Sequence, residues 1–210
     1  MKIAFLGAGN VGAPLAARLA DAGHDVVLAT DRPSDSVSAA LARTSRLSSG
    51  PVDAAVRAAD VVFLCTPFSA NEAVLRPIAD ALAGKVLVDC TNPVGRGLTH
   101  GLASERSGAD VVQSLAPAAK VVKAFSVYGA ENFEDTAYPG YGVKPAMFFC
   151  GDDADAKARV GPLIADLGFE PLDVGGRVQA LHLEHLTLLW VRMVRAGGHS
   201  PGLVWGALRR

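Results

Sequence analysis

The stretch Lys2-Ile3-Ala4-Phe5-Leu6-Gly7-Ala8-Gly9-Asn10-Val11-Gly12 decides how the rest of the chain is read. A mostly apolar, strand-like run enters a G-x-G-x-x-G turn, and an Ala/Leu-rich helical pattern follows over Val11–Ala22. A strand before and a helix after distinguish a dinucleotide-binding turn from a chance spacing of glycines. Each glycine has its own task. Gly7 permits the tight turn, Gly9 lets the backbone approach a pyrophosphate, and Gly12 lets the helix pack closely on the strand. Unpaired N–H groups and the positive end of the helix dipole then face the phosphates, with Ala8, Asn10 and Val11 completing the loop.

Outward from this turn, strand and helix alternate. Strands are expected at Lys2–Leu6, Asp25–Thr30, Val61–Cys65, Val86–Asp89, Val121–Phe125, Ala146–Cys150 and Phe169–Asp173, with a weaker one near Thr44–Leu47. Most are near-continuous apolar runs, which suits strands buried on both faces of a parallel sheet. Helices are expected at Val11–Ala22, Ala70–Leu82, Asp152–Leu167 and Val178–Ala196. Pro14 falls in a first turn, where its missing N–H costs little. Gly23 and Gly168 act as stops, and Asp152 or Asp153 as an N-cap. The pattern predicts an α/β, Rossmann-type, doubly wound and mostly parallel sheet with a small helical extension at the C-terminus. Residues 1–210 read as a single NAD(P)-binding domain, with 176–210 as a helical extension or dimer element. The strands after Val121 extend the first sheet, and Thr91–Gly101 and Asn132–Lys144 read as loops.

Composition narrows the classes. Half of the 210 residues are hydrophobic, enough for a sizeable core, and 21 acidic against 20 basic residues leave a net charge of −1. A strongly basic nucleic-acid binder and a polybasic membrane patch are therefore excluded. No apolar run approaches the roughly 20 residues that span a bilayer. Strand-like sequence from Met1 leaves no room for a signal peptide, and a cytoplasmic protein is expected. Cys65, Cys90 and Cys150 form neither a disulfide framework nor a C-x-x-C pair. His182 and His185 share a helix face but lack further ligands, so they read as polar residues facing a cleft or subunit, and no metal site is expected. No nucleophile–base signature supports hydrolase chemistry.

The second strand ends in Leu28-Ala29-Thr30-Asp31-Arg32, where the adenosine ribose is read. A small hydroxyl residue followed by Arg suits the 2′-phosphate of NADP, whereas an acidic residue suits the ribose hydroxyls of NAD. Thr30 and Arg32 favour NADP, and Asp31 keeps NAD open. Cys65-Thr66-Pro67-Phe68 and Cys90-Thr91-Asn92-Pro93 leave the carboxyl ends of two further strands. Prolines stiffen both turns, and Thr66 and Asn92 offer hydrogen-bonding groups to a nicotinamide. At the end of the chain, Trp190, Leu203, Val204, Trp205 and Leu208 are too apolar to leave in water together. They are expected to dock on the body or on a second subunit of a homodimer.

Gly7–Gly12, Gly23-His24-Asp25-Val26-Val27, Thr66-Pro67, Asp89–Pro93, Lys123-Ala124-Phe125, Gly129-Ala130-Glu131-Asn132, Gly151-Asp152-Asp153-Ala154 and Leu167–Asp173 together resemble, in order, the NADP-dependent oxidoreductases of the 5-deazaflavin coenzyme F420. Similar motifs occur in bacterial dinucleotide-binding proteins and in metalloreductase domains that use flavin. The resemblance implies NADP held by Gly7–Gly12 and Thr30–Arg32, a homodimer, and a deazaflavin as the small-molecule redox acceptor. The family commonly carries Ser-Arg or Asn-Ser-Arg after the second strand. Asp31 departs from that pattern and would oppose a phosphate unless turned away. The expected reaction is hydride transfer between nicotinamide and a planar acceptor, which depends on ring alignment more than on a protein acid or base, so no catalytic residue is assigned. Aromatics in Phe125–Tyr128 are candidates for the acceptor pocket, with core packing the competing reading for Phe125. The alternatives are a non-catalytic NADP(H) sensor, or a reductase of a flavin, quinone, metal chelate or small carbonyl or imine.

Overall fold

The computed structural model describes residues 1–210. The strands are β1 (Lys2–Leu6), β2 (Asp25–Ala29), β3 (Leu47–Gly50), β4 (Val61–Leu64), β5 (Val86–Asp89), β6 (Val94–Gly95), β7 (Thr99–His100), β8 (Lys120–Lys123), β9 (Ala146–Gly151) and β10 (Glu170–Asp173). The helices are α1 (Gly12–Asp21), α2 (Asp35–Leu41), α3 (Val52–Ala58), α4 (Asn71–Leu75), α5 (Gly108–Leu115), α6 (Ala154–Asp166) and α7 (Ala180–Arg195). Eight strands form one sheet in the order β10-β9-β8-β5-β4-β1-β2-β3. Every pairing in it is parallel except β8 with β9. The chain first winds from β1 towards β3, then returns to place β4 on the other side of β1. That reversal opens a crevice beyond the carboxyl ends of β1 and β4, where ligands bind in such sheets.

The apolar runs divide between the two faces with period two. Ile3, Phe5, Val61, Phe63, Val86 and Val88 enter one core, and Ala4, Leu6, Val62, Leu64 and Leu87 the other. Phe5 stacks on Phe63 with ring centroids 4.5 Å apart, locking β1 to β4 beneath the crevice.

Several elements differ from the sequence expectation. The helix expected over Ala70–Leu82 is regular only in α4 and becomes a 3₁₀ turn over Arg76–Ile78. Pro77 has no N–H to donate there, and its ring crowds the preceding turn. The weak strand lies at Leu47–Gly50 rather than Thr44–Leu47. α2, α3 and α5 fall in stretches read as connections, and the Thr91–Gly101 loop contains the β6–β7 hairpin. α2 and α5 carry serine N-caps, Ser34 and Ser107, the latter in a capping box with Asp110. β8 stops at Lys123, because Phe125 takes a left-handed φ of +55° and turns the chain. Asp153 is the cap of α6, accepting from Ala156 N–H at 2.8 Å, while Asp152 accepts from Arg177 N–H at 2.7 Å.

The tail docks on the body of its own chain through Leu203, Val204 and Trp205, whereas Leu208, expected to dock with them, is 85% exposed. Ala146 N–H donates to the Trp205 carbonyl at 2.7 Å, and the Trp190 indole N–H to the Leu203 carbonyl at 2.6 Å.

Candidate functional site

The glycine turn has the geometry its sequence requires. Gly7 has φ +102°, and a Cβ on it would stand 2.8 Å from the Cys65 carbonyl carbon and oxygen. A Cβ on Gly12 would come within 2.0 Å of the Gly7 carbonyl oxygen. A Cβ on Gly9 would meet nothing within 4 Å. Two glycines therefore let α1 sit tight against β1 and β4, and the third faces open space. The backbone N–H groups of Gly9, Asn10 and Val11 donate to no acceptor within the chain. Unpaired donors, open space and the start of a ten-residue helix fit a diphosphate.

At the end of β2 the turn is held by its own side chains. Thr30 N–H donates to the Gly50 carbonyl, and the Thr30 hydroxyl donates to the Arg32 carbonyl at 2.7 Å. Asp31 is anchored at one oxygen: its Oδ1 accepts from Val52 N–H at 2.9 Å, at the start of α3. Arg32 is exposed. Gly7, Thr30, Asp31, Arg32 and Thr66 together line one groove of about 810 Å³, closed on its far side by Pro51, Val52 and the α4 segment. Ala8, Gly9 and Asn10 open onto a second groove of about 460 Å³. Arg43 borders that groove and bonds both oxygens of Glu134 at 2.6 and 2.8 Å, which holds the Glu134 carboxyl below its ordinary range.

The loops after β4 and β5 are tied to a buried polar cluster. Lys123, at the end of β8, is fully buried, with its ammonium 3.0 Å from Asp89 Oδ2 and 3.1 Å from Glu184 Oε1. It also donates to the Thr91 carbonyl. Burial pushes the Lys123 pKa down, but Asp89 and Glu184 more than offset it, so its net displacement is upward. Glu184 accepts from Gly108 N–H at 2.9 Å, from Ala109 N–H at 3.3 Å and from His100 Nε2 at 2.9 Å. Asn92 donates to the Ser126 carbonyl at 3.0 Å, and the Thr187 hydroxyl of α7 donates to the same carbonyl at 2.5 Å, so that carbonyl joins the β5 and β8 loops to α7. Phe68 leans on α5, with Cε2 3.0 Å from where a Cβ on Gly108 would stand, and Pro67 is exposed.

Sequence reasoning missed Asp89, Lys123, His100 and Glu184. The available signal was a charge closing a strand directly after an apolar run, twice, in Val86–Asp89 and Lys120–Lys123. Of the two readings for Phe125–Tyr128, the acceptor pocket gives way to core packing, the competing reading for Phe125, and Tyr128 joins it there. Phe125 and Tyr128 are core residues, 1% and 5% exposed, packed on Phe63 and Phe169. The left-handed turn at Phe125 folds the ring inward rather than towards either groove. His185 bonds Ser104 Oγ at 2.9 Å, and His182 is exposed.

Comparison with known proteins agrees with this geometry. Residues 2–93 match the family model described as NADP oxidoreductase, coenzyme F420-dependent. The F420-dependent NADP reductase of Methanothermobacter marburgensis is 30% identical over 212 residues, a match spanning 92% of each chain. The metalloreductase STEAP3 of Rattus norvegicus is 34% identical over 192 residues, covering 89% of this chain but 36% of that longer protein. The chain therefore spans about a third of that relative's length. A candidate F420-dependent NADP reductase from Arthrobacter sp. FB24, known from its crystal structure, superposes with a TM-score of 0.83 at 32% identity, over 94% of this chain and 95% of the other.

Proposed function

The chain belongs to the family of F420-dependent NADP reductases, and from that premise we propose how its residues serve hydride transfer between NADP(H) and a deazaflavin. The observation that carries the activity is the 30% identity extending over 92% of both chains. When bound, the nicotinamide exchanges a hydride at C4 with the planar acceptor. The task of the protein is to hold both rings in register, which needs no side-chain acid or base at the reacting carbon.

The N–H groups of Gly9, Asn10 and Val11 hold the diphosphate, with Gly7, Ala8 and Gly12 setting the turn. Arg32 reads the 2′-phosphate by a charge-assisted contact. Thr30 shapes the turn that presents it. Asp31 lines the same groove with one carboxylate oxygen committed to Val52 N–H, which lessens its opposition to that phosphate. Thr66, Pro67 and Phe68 form the wall towards the nicotinamide half. Asn92 acts indirectly, by fixing the β5 loop to the Ser126 carbonyl, which Thr187 of α7 also bonds.

Residues 1–210 form one dinucleotide-binding unit in this reading, with 176–210 as an extension. Glu184 on α7 supports it by bonding the Lys123 ammonium at the centre of the sheet. A homodimer is proposed through the outward side of the extension, where Val178 and Leu189 are 78% and 50% exposed. A cytoplasmic location is proposed on the three free cysteines. No helix is long and apolar enough to cross a membrane.

The 34% identity to a metalloreductase favours a second reading, in which the acceptor is a flavin or a ferric chelate. NADPH oxidation against deazaflavin, flavin, quinone and ferric chelate separates the readings. Fastest turnover with deazaflavin is expected. Turnover confined to flavin or ferric chelate would establish the second reading, and binding without turnover would leave a sensor.

A further inference from the structure

A chain of hydrogen bonds runs from the buried charges to the wall of the larger groove, and its direction is fixed throughout. The Asp89 carboxylate only accepts. Its Oδ1 lies 2.7 Å from Thr91 Oγ1, so the Thr91 hydroxyl donates to it. The lone pair of that hydroxyl faces Asn71, which donates through Nδ2 at 3.0 Å. The opposite end of the same amide, Oδ1, then accepts the Thr66 hydroxyl hydrogen at 2.9 Å. Asn71, Thr91 and Asp89 are 1%, 4% and 0% exposed, so no solvent can invert the order.

The far end is equally constrained. Lys123 donates to both Asp89 and Glu184. His100 Nδ1 accepts from the N–H groups of Leu102 and Ser104 at 3.3 and 3.2 Å, which leaves its proton on Nε2, directed at Glu184. Reversing any link would set a donor against a donor inside the protein. Thr66 is the one member of the chain that lines the groove, and its hydrogen is already committed. Towards a ligand in the groove its hydroxyl can therefore act only as an acceptor.

We propose that the buried Asp89–Lys123–Glu184 cluster is a positioning device that fixes the polarity of Thr66, making Thr66 a specificity-determining acceptor for an N–H or O–H donor of the bound dinucleotide. The inference rests on this groove being the dinucleotide site. A carbonyl or phosphate oxygen at Thr66 is disfavoured, and a ribose hydroxyl or an amide N–H is selected.

The test is fluorescence titration of NADPH into wild type, Thr66→Ser, Thr66→Val, Asp89→Asn and the Thr66→Val/Asp89→Asn double variant, with thermal melting to verify folding. Thr66→Ser keeps the hydroxyl and should bind within about twofold of wild type, whereas near-isosteric Thr66→Val should bind roughly three- to tenfold more weakly. Asp89→Asn can turn an amide N–H towards its neighbours and so releases the constraint on the chain. It should weaken NADPH, and Thr66→Val should cost less on that background than on wild type. Wild-type affinity in Thr66→Val would overturn the proposal, as would strictly additive losses in the double variant. If Asp89→Asn does not fold, the comparison of Thr66→Ser with Thr66→Val decides. A wild type that does not bind NADPH would sink the cofactor assignment itself, and this inference with it.

Discussion

A Cβ on Gly12 would stand 2.0 Å from the carbonyl oxygen of Gly7, so the first turn of α1 can approach the sheet only while position 12 has no side chain. Gly9, three residues earlier, faces open space. The two glycines therefore fail differently. Gly12→Ala should destabilise the fold by about 1–3 kcal/mol, as overpacking does. Gly9→Val should unfold at the same urea concentration as wild type and yet lose NADPH binding. Urea titration and calorimetry on the pair check this, and unchanged NADPH affinity in Gly9→Val would place the diphosphate elsewhere.

Arg32 is exposed at the mouth of the larger groove while Asp31 is held by Val52 N–H at 2.9 Å. Arg32→Ala should weaken NADPH by roughly 10- to 150-fold, the loss of about 1.5–3 kcal/mol for a charge-assisted bond, and leave NADH nearly unchanged. Asp31→Asn should act on α3 instead, lowering stability slightly and affecting both cofactors alike. Equal losses for NADH and NADPH in Arg32→Ala would show that this arginine does not read the phosphate.

Lys123 has no exposure, and neither carboxylate beside it exceeds 1%. Lys123→Met would leave the Asp89 and Glu184 carboxylates buried without the cation they share. Breaking a buried ion pair by removing one partner costs about 3–5 kcal/mol. A chemical-denaturation midpoint close to wild type would mean that the cluster is not holding α7 to the sheet.

The cysteines give a pH dependence with a defined sign. Burial pushes the Cys90 thiol well up, with Cys65 beside it adding to the effect, and burial moves Cys150 up to about 12. Unfolded thiols release their protons from about pH 8.5. Above that the folded chain holds more protons than the unfolded one, so stability is fully present below about pH 8.5 and declines as pH rises towards 12. Cys150→Ala should flatten the decline, seen by comparing urea midpoints near neutrality with those at mildly alkaline pH. An unchanged slope would assign the decline to other groups.

The glycine turn and the strands of the first half could be read in the sequence because both are local: a backbone approach needs glycine, and a strand buried on two faces needs a continuous apolar run. The polar cluster could not be read in the same way. Asp89 and Lys123 look like ordinary charges at strand ends until the sheet order sets β5 beside β8. Glu184 looks like a surface residue between two histidines until α7 is seen to direct it at the start of α5. Asp31 seemed to conflict with a phosphate because α3, which it caps, left no periodic signal in its seven residues. The left-handed turn at Phe125, by contrast, has no sequence signature, because a positive φ on a bulky residue is not encoded in composition or periodicity.

Direct hydride transfer is most sharply tested by supplying NADPH carrying deuterium at the transferring position of C4, with oxidised deazaflavin in ordinary water, and locating the label by mass spectrometry. One deuterium should appear in the reduced deazaflavin for each NADPH consumed, with none lost to solvent. Reduced deazaflavin carrying only solvent hydrogen, or NADPH that remains bound and unoxidised, would contradict the assignment of this chain as a reductase that passes hydride between the two rings.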